Sequence, residues 1–340
     1  MAKSGNICIL VTGSAGFIGS SLLEPLARRG GLVRAGTRRS VKPVPAASGI
    51  VDCSCDLDNP KQTEAAVAGS DLAVHAAYGL HAAMPEQCRT LLAAMSAAGT
   101  PNLVYLSSIA VYGSAEGMIS ENAALPVQAG GYGAAKSQCE DLIRKWVDEQ
   151  PGVRRAIILR PGIVYGAGST LWIDKIIQRI RCGAWGTFGS SGDGLAALVH
   201  VDDVAEIIVT ACARLAEAPE TLPAVGVMNV VGPDTPTWNQ YFQALAAADG
   251  QPPLREIAPR MLALRSIAAV FAKIWRKIGL PGGHRAALAP TSSELKLFSL
   301  KARYATDNAE SLLGFRAEID LQEGLRRSLT EAPRQAAAKT

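Results

Sequence analysis

Ile7-Cys8-Ile9-Leu10-Val11-Thr12-Gly13-Ser14-Ala15-Gly16-Phe17-Ile18-Gly19 is the stretch that decides the fold of this chain. Its apolar run predicts a buried β-strand, and a helical pattern follows the glycines at once. Glycines in such a turn close it tightly, let the backbone approach a pyrophosphate and let the helix pack closely on the strand. The free N–H groups at the helix N-terminus favour phosphate. We therefore expect a dinucleotide-binding turn formed by Gly13, Gly16, Phe17, Ile18 and Gly19.

The first 160 residues alternate short β-rich runs with helical patterns, which predicts parallel βαβ units. The expected strands are Ile7–Val11, Leu32–Gly36, Ile50–Cys53, Leu72–His75, Leu103–Ser107 and Ala156–Arg160. The expected helices are Ile18–Arg29, Thr63–Ala68, Cys88–Ala98 and Tyr132–Glu149. Short connections in chain order favour an α/β fold, a doubly wound parallel Rossmann sheet with a smaller C-terminal substrate lobe.

The regular alternation stops after Pro161, and this break predicts the domain boundaries. Residues 1–170 are expected to form the dinucleotide-binding domain, with return segments near 195–215 and 225–232. Residues 171–194 and 233–330 are expected to form the substrate-binding lobe. The Ala-rich residues 331–340 are expected to be a flexible tail.

Composition narrows the class of protein. Of 340 residues, 48% are hydrophobic and 19% charged, which predicts a large buried core. The net charge of +4 is small and the cations are scattered, which argues against nucleic-acid binding. No run approaches the ~18 apolar residues of a spanning helix, and the N-terminal run is too short for a signal peptide. Seven dispersed cysteines predict free thiols in the cytoplasm, and the four separated histidines predict no metal site.

The end of the second strand bears on the choice between NAD and NADP. NAD sites usually place an acidic residue there, about 20 residues past the glycines, and here Thr37 stands at that position. Arg38 and Arg39 follow, and a guanidinium can hold a 2′-phosphate with two hydrogen bonds. We expect NADP, with NAD as the alternative. If Arg38 and Arg39 bind no phosphate, they are ordinary solvated residues of a loop. Asp56 is expected to hydrogen-bond the adenine.

Tyr132 and Lys136 lie four residues apart at the start of a long helix, so their side chains share one face. A phenol ionises near pH ~10, and a neighbouring ammonium favours the phenolate and lowers that pKa. Ser107 and Ser108 end a strand at the sheet edge where ligands bind in such folds. A serine hydroxyl there can hold a substrate oxygen while tyrosine moves the proton.

These features together resemble the extended short-chain dehydrogenases/reductases, the NAD-dependent epimerase/dehydratase family. Besides the glycine turn and Tyr132/Lys136, the similar segments are Val74–Ala77, Val104–Gly113, Leu159–Gly166, Val199–Ala205, Leu312–Phe315 and Leu321–Leu325. The resemblance implies that Ser108 is the catalytic serine, Tyr132 the acid–base, and Lys136 a ribose ligand that modulates the tyrosine. It also implies structural roles for His75 and His200. To the cofactor site we further assign Leu57, Ala76, Ala77, Pro161 and Ile163.

Departures from the family pattern restrict the reaction. Ile109 and Ala110 stand where members that eliminate water carry an acidic pair, and a decarboxylating branch carries a glutamate at the position of Ala110. Neither side chain can move a proton, so we expect neither elimination nor the reaction of that branch. Ile163 replaces the asparagine typical of sugar-nucleotide enzymes, and residues 195–197 contain no cation for a diphosphate. Arg179, Arg181 and Arg303 remain available to replace that cation.

Three functions therefore stay open. The first is an NAD(P)-dependent oxidoreductase that interconverts a secondary alcohol and a ketone. The second is a sugar or nucleotide-sugar 4-epimerase, and the third a non-catalytic dinucleotide-binding regulatory protein. A cofactor that exchanges with a reduced cellular pool makes NADP more natural for the first.

Two further expectations concern partners. The apolar and basic residues of Met261–Ile278 alternate at helical spacing, which predicts either a lobe helix over the substrate cleft or peripheral contact with an anionic membrane. The resemblance suggests a homodimer through the helices that contain Cys88–Ala98 and Tyr132–Glu149.

Overall fold

Seven parallel strands form the central sheet of the computed structural model, which describes residues 7–38, 49–258 and 289–331. In chain order they are β1 Cys8–Thr12, β2 Leu32–Thr37, β3 Ile50–Ser54, β4 Leu72–His75, β5 Asn102–Leu106, β7 Arg155–Pro161 and β10 Val225–Val230. β6 Gly117–Ile119 lies outside this sheet. The strand order β10-β7-β5-β4-β1-β2-β3 reverses direction beside β1, the place where such sheets bind ligands.

Helices cover both faces of the sheet. In chain order the first seven helices are α1 Phe17–Arg28, α2 Pro60–Val67, α3 Met84–Ala98, α4 Gly131–Asp148, α5 Lys175–Arg181, α6 Val201–Glu217 and α7 Trp238–Ala248. Of these, α1 to α4 and α6 pack on the sheet. Successive residues of a strand point to opposite faces, so Ile9 and Val11 pack in the core under α1 and α6. Leu10 packs in the second core, under α2, α3 and α4. Burial on both faces explains why Ile9, Leu10 and Val11 are all apolar.

The remaining elements form a smaller region with its own aromatic core. It contains the short parallel pairs β8 Ile163–Tyr165 with β9 Leu198–His200, and β6 with β11 Ala302–Tyr304. Its helices are α5, α7, Ser292–Ser299 and Leu321–Thr330, whereas Asp307–Leu313 packs on the core of the central sheet through Ala309 and Leu313. Its core holds Trp185, Phe188, Trp238, Phe242 and Phe298, whose rings pack edge to face, tilted or stacked.

The doubly wound parallel sheet is confirmed, and each predicted strand agrees with an observed one to within a residue at either end. α2 and α3 begin earlier than predicted, at Pro60 and Met84. Proline is well suited to a first turn, because its missing N–H has no intrahelical acceptor there. The side chain of Asn59 caps α2 by accepting the N–H of Gln62. Both predicted starts, Thr63 and Cys88, therefore lie too far along the chain.

Some predictions lie outside the described residues. These are Arg39, the amphipathic segment Met261–Ile278 and residues 332–340 of the tail. Within the three described ranges, no helix combines the length and the apolar character needed to cross a bilayer. The division into two domains stays a prediction.

Candidate active site

The glycine turn between β1 and α1 has no room for a side chain at Gly13 or Gly19. Gly13 has φ +70°, and a Cβ there would lie 2.5 Å from the Cα of Ala77. A Cβ at Gly19 would lie 2.2 Å from the carbonyl oxygen of Gly13. The N-cap of α1 is Gly16, so no side chain caps the first N–H groups of the helix. The helix begins with Phe17 and Ile18, and its uncapped N–H groups are suited to bind the phosphates of a dinucleotide.

The ends of β2 and β3 form the neighbouring edge of this site. The Ser14 hydroxyl donates to the Gly36 carbonyl (3.1 Å), which ties the glycine turn to β2. Arg38 follows β2 and is exposed. Asp56 is half-buried, and its carboxylate accepts the N–H of Asp58 (3.2 Å), while Leu57 is buried. Asp56 thus shapes the turn before α2, whatever else it binds.

The structure brings Ser108, Tyr132 and Lys136 together at the end of β5 and the start of α4. Ser108 follows β5, and its hydroxyl accepts the Ala110 N–H (3.2 Å) and hydrogen-bonds Tyr132. Tyr132 is the second residue of α4 and Lys136 lies one turn further. The Lys136 Nζ donates to the Leu106 carbonyl and lies 5.8 Å from the centroid of the Tyr132 ring. A phenol, a hydroxyl and an ammonium therefore meet at one point of the sheet edge.

Burial dominates the ionisation of this group. It raises the pKa of Tyr132 to about 12, and the hydrogen bond from Ser108 opposes that rise only in part. Burial also lowers the pKa of Lys136 to about 8. The sequence argument predicted a lowered phenol pKa, and in the protein alone the direction is the opposite. The reason is that Lys136 bonds the Leu106 carbonyl, so burial of the phenol outweighs its attraction to the ammonium.

Sequence reasoning missed two side chains that lie against Tyr132. The rings of Tyr78 and His81 have centroids 5.7 Å and 5.4 Å from that of Tyr132. The Tyr78 hydroxyl is 3.1 Å from Nε2 of His81. Both residues belong to the loop after Ala76 and Ala77, so the position of the loop at a strand end was the available signal.

A buried polar cluster supports the site from behind. The Ser107 hydroxyl donates to Glu140 (2.6 Å), and Arg160 donates to both oxygens of the same carboxylate (2.9 and 2.6 Å). Arg160 also donates to the Tyr112 hydroxyl (2.7 Å), which in turn donates to Asn229 (2.7 Å). This cluster connects β5, α4, β7 and β10, and sequence reasoning gave no role to Glu140.

The two family histidines are buried and bonded within the fold. Nδ1 of His75 is 2.8 Å from the Thr12 hydroxyl, and burial lowers its pKa to about 3, so the ring is neutral. His200 caps α6, where its Nδ1 accepts the N–H of Asp202 (3.3 Å).

The segment expected to bear on a diphosphate is apolar and closed. Pro161 ends β7, and the N–H of Ile163 donates to the carbonyl of Ala197 (2.7 Å). Ala196 and Ala197 are buried. Of the arginines named as replacements, Arg179 is paired with Glu294 (2.8 Å) and Arg181 with Asp249 (2.5 Å). Arg303 lies exposed on β11.

Residues 9–230 match the NAD dependent epimerase/dehydratase family. The chain belongs to that family. The chain is therefore an enzyme, an oxidoreductase of the family that the sequence resembles. The matched residues include the glycine turn, Ser108, Tyr132 and Lys136.

Its relatives carry out different reactions. A 2-alkyl-3-oxoalkanoate reductase of Shewanella oneidensis is 24% identical over 93% of this chain and 84% of its own length. A UDP-glucose 4-epimerase of Vibrio cholerae is 27% identical over 59% of this chain and 65% of its own length. The solved structure of MoeE5 in complex with UDP-glucose and NAD superposes with a TM-score of 0.68 at 25% identity, over 95% of this chain and 97% of that one. The family thus includes both reductases and epimerases.

Proposed function

We propose that this enzyme interconverts a secondary alcohol and a ketone by hydride transfer, with Tyr132 as the acid–base. The observation that carries the proposal is the cluster of Ser108, Tyr132 and buried Lys136 beside Ile109 and Ala110, two residues that cannot move a proton. With a single proton-transferring group next to the serine, oxidation or reduction of one carbon is favoured over elimination.

The residues divide this work. A nicotinamide dinucleotide held by the glycine turn supplies or accepts the hydride. In reduction, the Tyr132 hydroxyl gives its proton to the substrate oxygen, and the Ser108 hydroxyl donates a hydrogen bond to that oxygen. The Lys136 ammonium, which persists below about pH 8, stabilises the phenolate that remains.

We propose NADP as the cofactor. Residues 32–38 contain no carboxylate that would repel a 2′-phosphate, and the exposed Arg38 follows β2 directly. The NAD in the MoeE5 complex belongs to that protein. NADP also suits a reductase, which must exchange its cofactor with a reduced pool.

A 4-epimerase is the second candidate, because the relatives include UDP-sugar epimerases. The closed apolar segment around Ala196 and the ion pairs of Arg179 and Arg181 disfavour a diphosphate-bearing substrate. A regulatory protein without turnover is disfavoured by the complete Ser108, Tyr132 and Lys136 set.

The predicted homodimer through α3 and α4 is proposed as well, and sedimentation velocity would test it.

Turnover with a panel of ketones and UDP-sugars distinguishes these candidates. We expect net oxidation of excess NADPH with a ketone and a kcat/KM at least about tenfold higher with NADPH than with NADH. In Arg38→Ala this ratio of the two kcat/KM values should fall.

Tyr132→Phe should lower kcat by about 10³-fold while cofactor affinity, read from nicotinamide fluorescence, changes little. Conversion of a UDP-sugar without net oxidation would establish the epimerase instead. Undiminished turnover in Tyr132→Phe would remove the catalytic assignment.

A further inference from the structure

The loop Ala76–Ala83 between β4 and α3 is fixed at both ends and exposed in its middle. At its start Ala77 packs against Gly13, and after its end Met84 is buried. The N–H of Ala83 donates to the Leu80 carbonyl (2.9 Å), which closes the tip into a turn. A loop held in this way presents its side chains in a defined position beside both the cofactor turn and α4.

Two large apolar side chains on this tip face solvent. Tyr78 is 67% exposed and Leu80 is 81% exposed, which places both among the most exposed large apolar residues of the described chain. Single exposed apolar residues are common, but two on one short anchored loop form a local apolar surface. Tyr78 also contacts the ring of Tyr132, so this surface adjoins the group that meets the reacting oxygen.

The chemistry of the loop restricts what can cover it. Residues 76–83, AAYGLHAA, contain no Lys or Arg to pair with a diphosphate, and Nε2 of their one histidine, His81, lies 3.1 Å from the Tyr78 hydroxyl. The Tyr78 hydroxyl is engaged by His81, which leaves the Tyr78 ring and Leu80 as the exposed surface. An apolar group beside the reacting carbonyl matches this surface.

We infer, on the basis of the proposed ketone chemistry, that Tyr78 and Leu80 determine specificity by covering an apolar substituent adjacent to the reacting carbonyl. The preferred substrates are then ketones that carry an alkyl chain or apolar ring on that side. Burial of one methylene group favours binding by about a fourfold factor. The kcat/KM of the wild type should therefore rise by about that factor for each methylene, until the surface is covered.

A homologous series of 2-ketones, from butanone to 2-decanone, tests this inference. In Tyr78→Ala and Leu80→Ala we expect the gain per methylene to fall below about twofold, with each slope measured from that variant's own kcat/KM for butanone. The cofactor affinity of Leu80→Ala should stay within about threefold of the wild type. Val153→Ala is the matched control. Val153 is 61% exposed and lies beyond the far end of α4, whose 18 residues span about 27 Å. This control should keep the wild-type slope.

Calorimetric titration of the same ketones into the cofactor-loaded Tyr132→Phe variant separates this inference from the proposed function. Chain-length-dependent binding that Leu80→Ala weakens supports the apolar surface even where no ketone is turned over. Turnover with a slope that neither loop variant changes would overturn the inference and leave the proposed function standing. The inference would also be overturned if Leu80→Ala altered the sedimentation coefficient and left the gain in kcat/KM per methylene unchanged. The loop would then contact a second copy of the chain.

Discussion

Ser107 and Ser108 are neighbours at the end of β5, and they lie in two contrasting environments. Ser107 donates to Glu140 within a buried cluster in which the Arg160 guanidinium donates to the Glu140 carboxylate, the Tyr112 hydroxyl and the Glu121 carbonyl. Ser108 instead bonds the backbone of Ala110 and the Tyr132 hydroxyl, beside a loop that faces solvent. Ser107 therefore belongs to a support whose hydrogen bonds are satisfied, whereas the Ser108 hydroxyl keeps hydrogen-bonding capacity for a ligand.

The difference has a physical cause. Glu140 and Arg160 are almost completely buried, and a buried charge is tolerated only when it is fully paired. Such a cluster fixes the distance between β5 and α4, the two elements that carry Ser108 and Tyr132. A rigid support of this kind allows the catalytic side to keep polar groups that are poised for a substrate.

The largest effect is expected from Glu140→Ala, which disrupts the buried cluster around Ser107. It leaves the Arg160 guanidinium without its carboxylate, so the free energy of unfolding in urea should fall by about 3–5 kcal/mol. Glu24→Ala is the control, because Glu24 pairs with Arg28 on the surface, where both side chains are exposed. That control should cost at most about 1 kcal/mol. If Glu140→Ala does not fold, Glu140→Gln tests the same interaction with a smaller loss of stability. Equal losses of unfolding free energy at Glu140 and Glu24 would contradict the role of the cluster.

A smaller effect is expected from Lys136, the buried charge of the catalytic side. Its pKa is about 8 in the folded protein against an ordinary 10.5, so between these values the folded lysine is neutral while the unfolded one is charged. The unfolded state then binds more protons, and stability rises with pH across this window. Relative to Lys136→Met, the wild type should gain about 3 kcal/mol of unfolding free energy between pH 8 and 10.5. A difference that stays constant with pH would show that Lys136 keeps its ordinary pKa.

The sequence predicts the parts of this site that depend on local spacing. The glycines of the turn, and Tyr132 with Lys136, act through separations of three or four residues, so their roles follow from periodicity. The buried cluster joins positions far apart in the chain, such as Tyr112 and Asn229, which are 117 residues apart. No pattern within a window of the sequence contains such a pair.

Burial is the second property that local spacing does not give. The pKa of Tyr132 is raised although a lysine stands one turn away, because the cost of burying a phenolate depends on the whole surrounding fold. The contact of Tyr78 and His81 with Tyr132 likewise depends on how the β4 loop crosses the N-terminus of α4.

The smallest effects should come from the two serines themselves, and they should fall on different properties. Ser107→Ala removes one donor from the Glu140 carboxylate, so stability should fall by about 1–2 kcal/mol while kcat/KM changes less than threefold. Ser108→Ala should lower kcat/KM by about 10- to 100-fold and leave stability within about 1 kcal/mol of the wild type. Urea unfolding and NADPH oxidation, measured on the same preparations, read both properties. If Ser107→Ala lost activity as strongly as Ser108→Ala, the buried cluster would not be a support separate from the catalytic side, and both serines would have to act on the substrate.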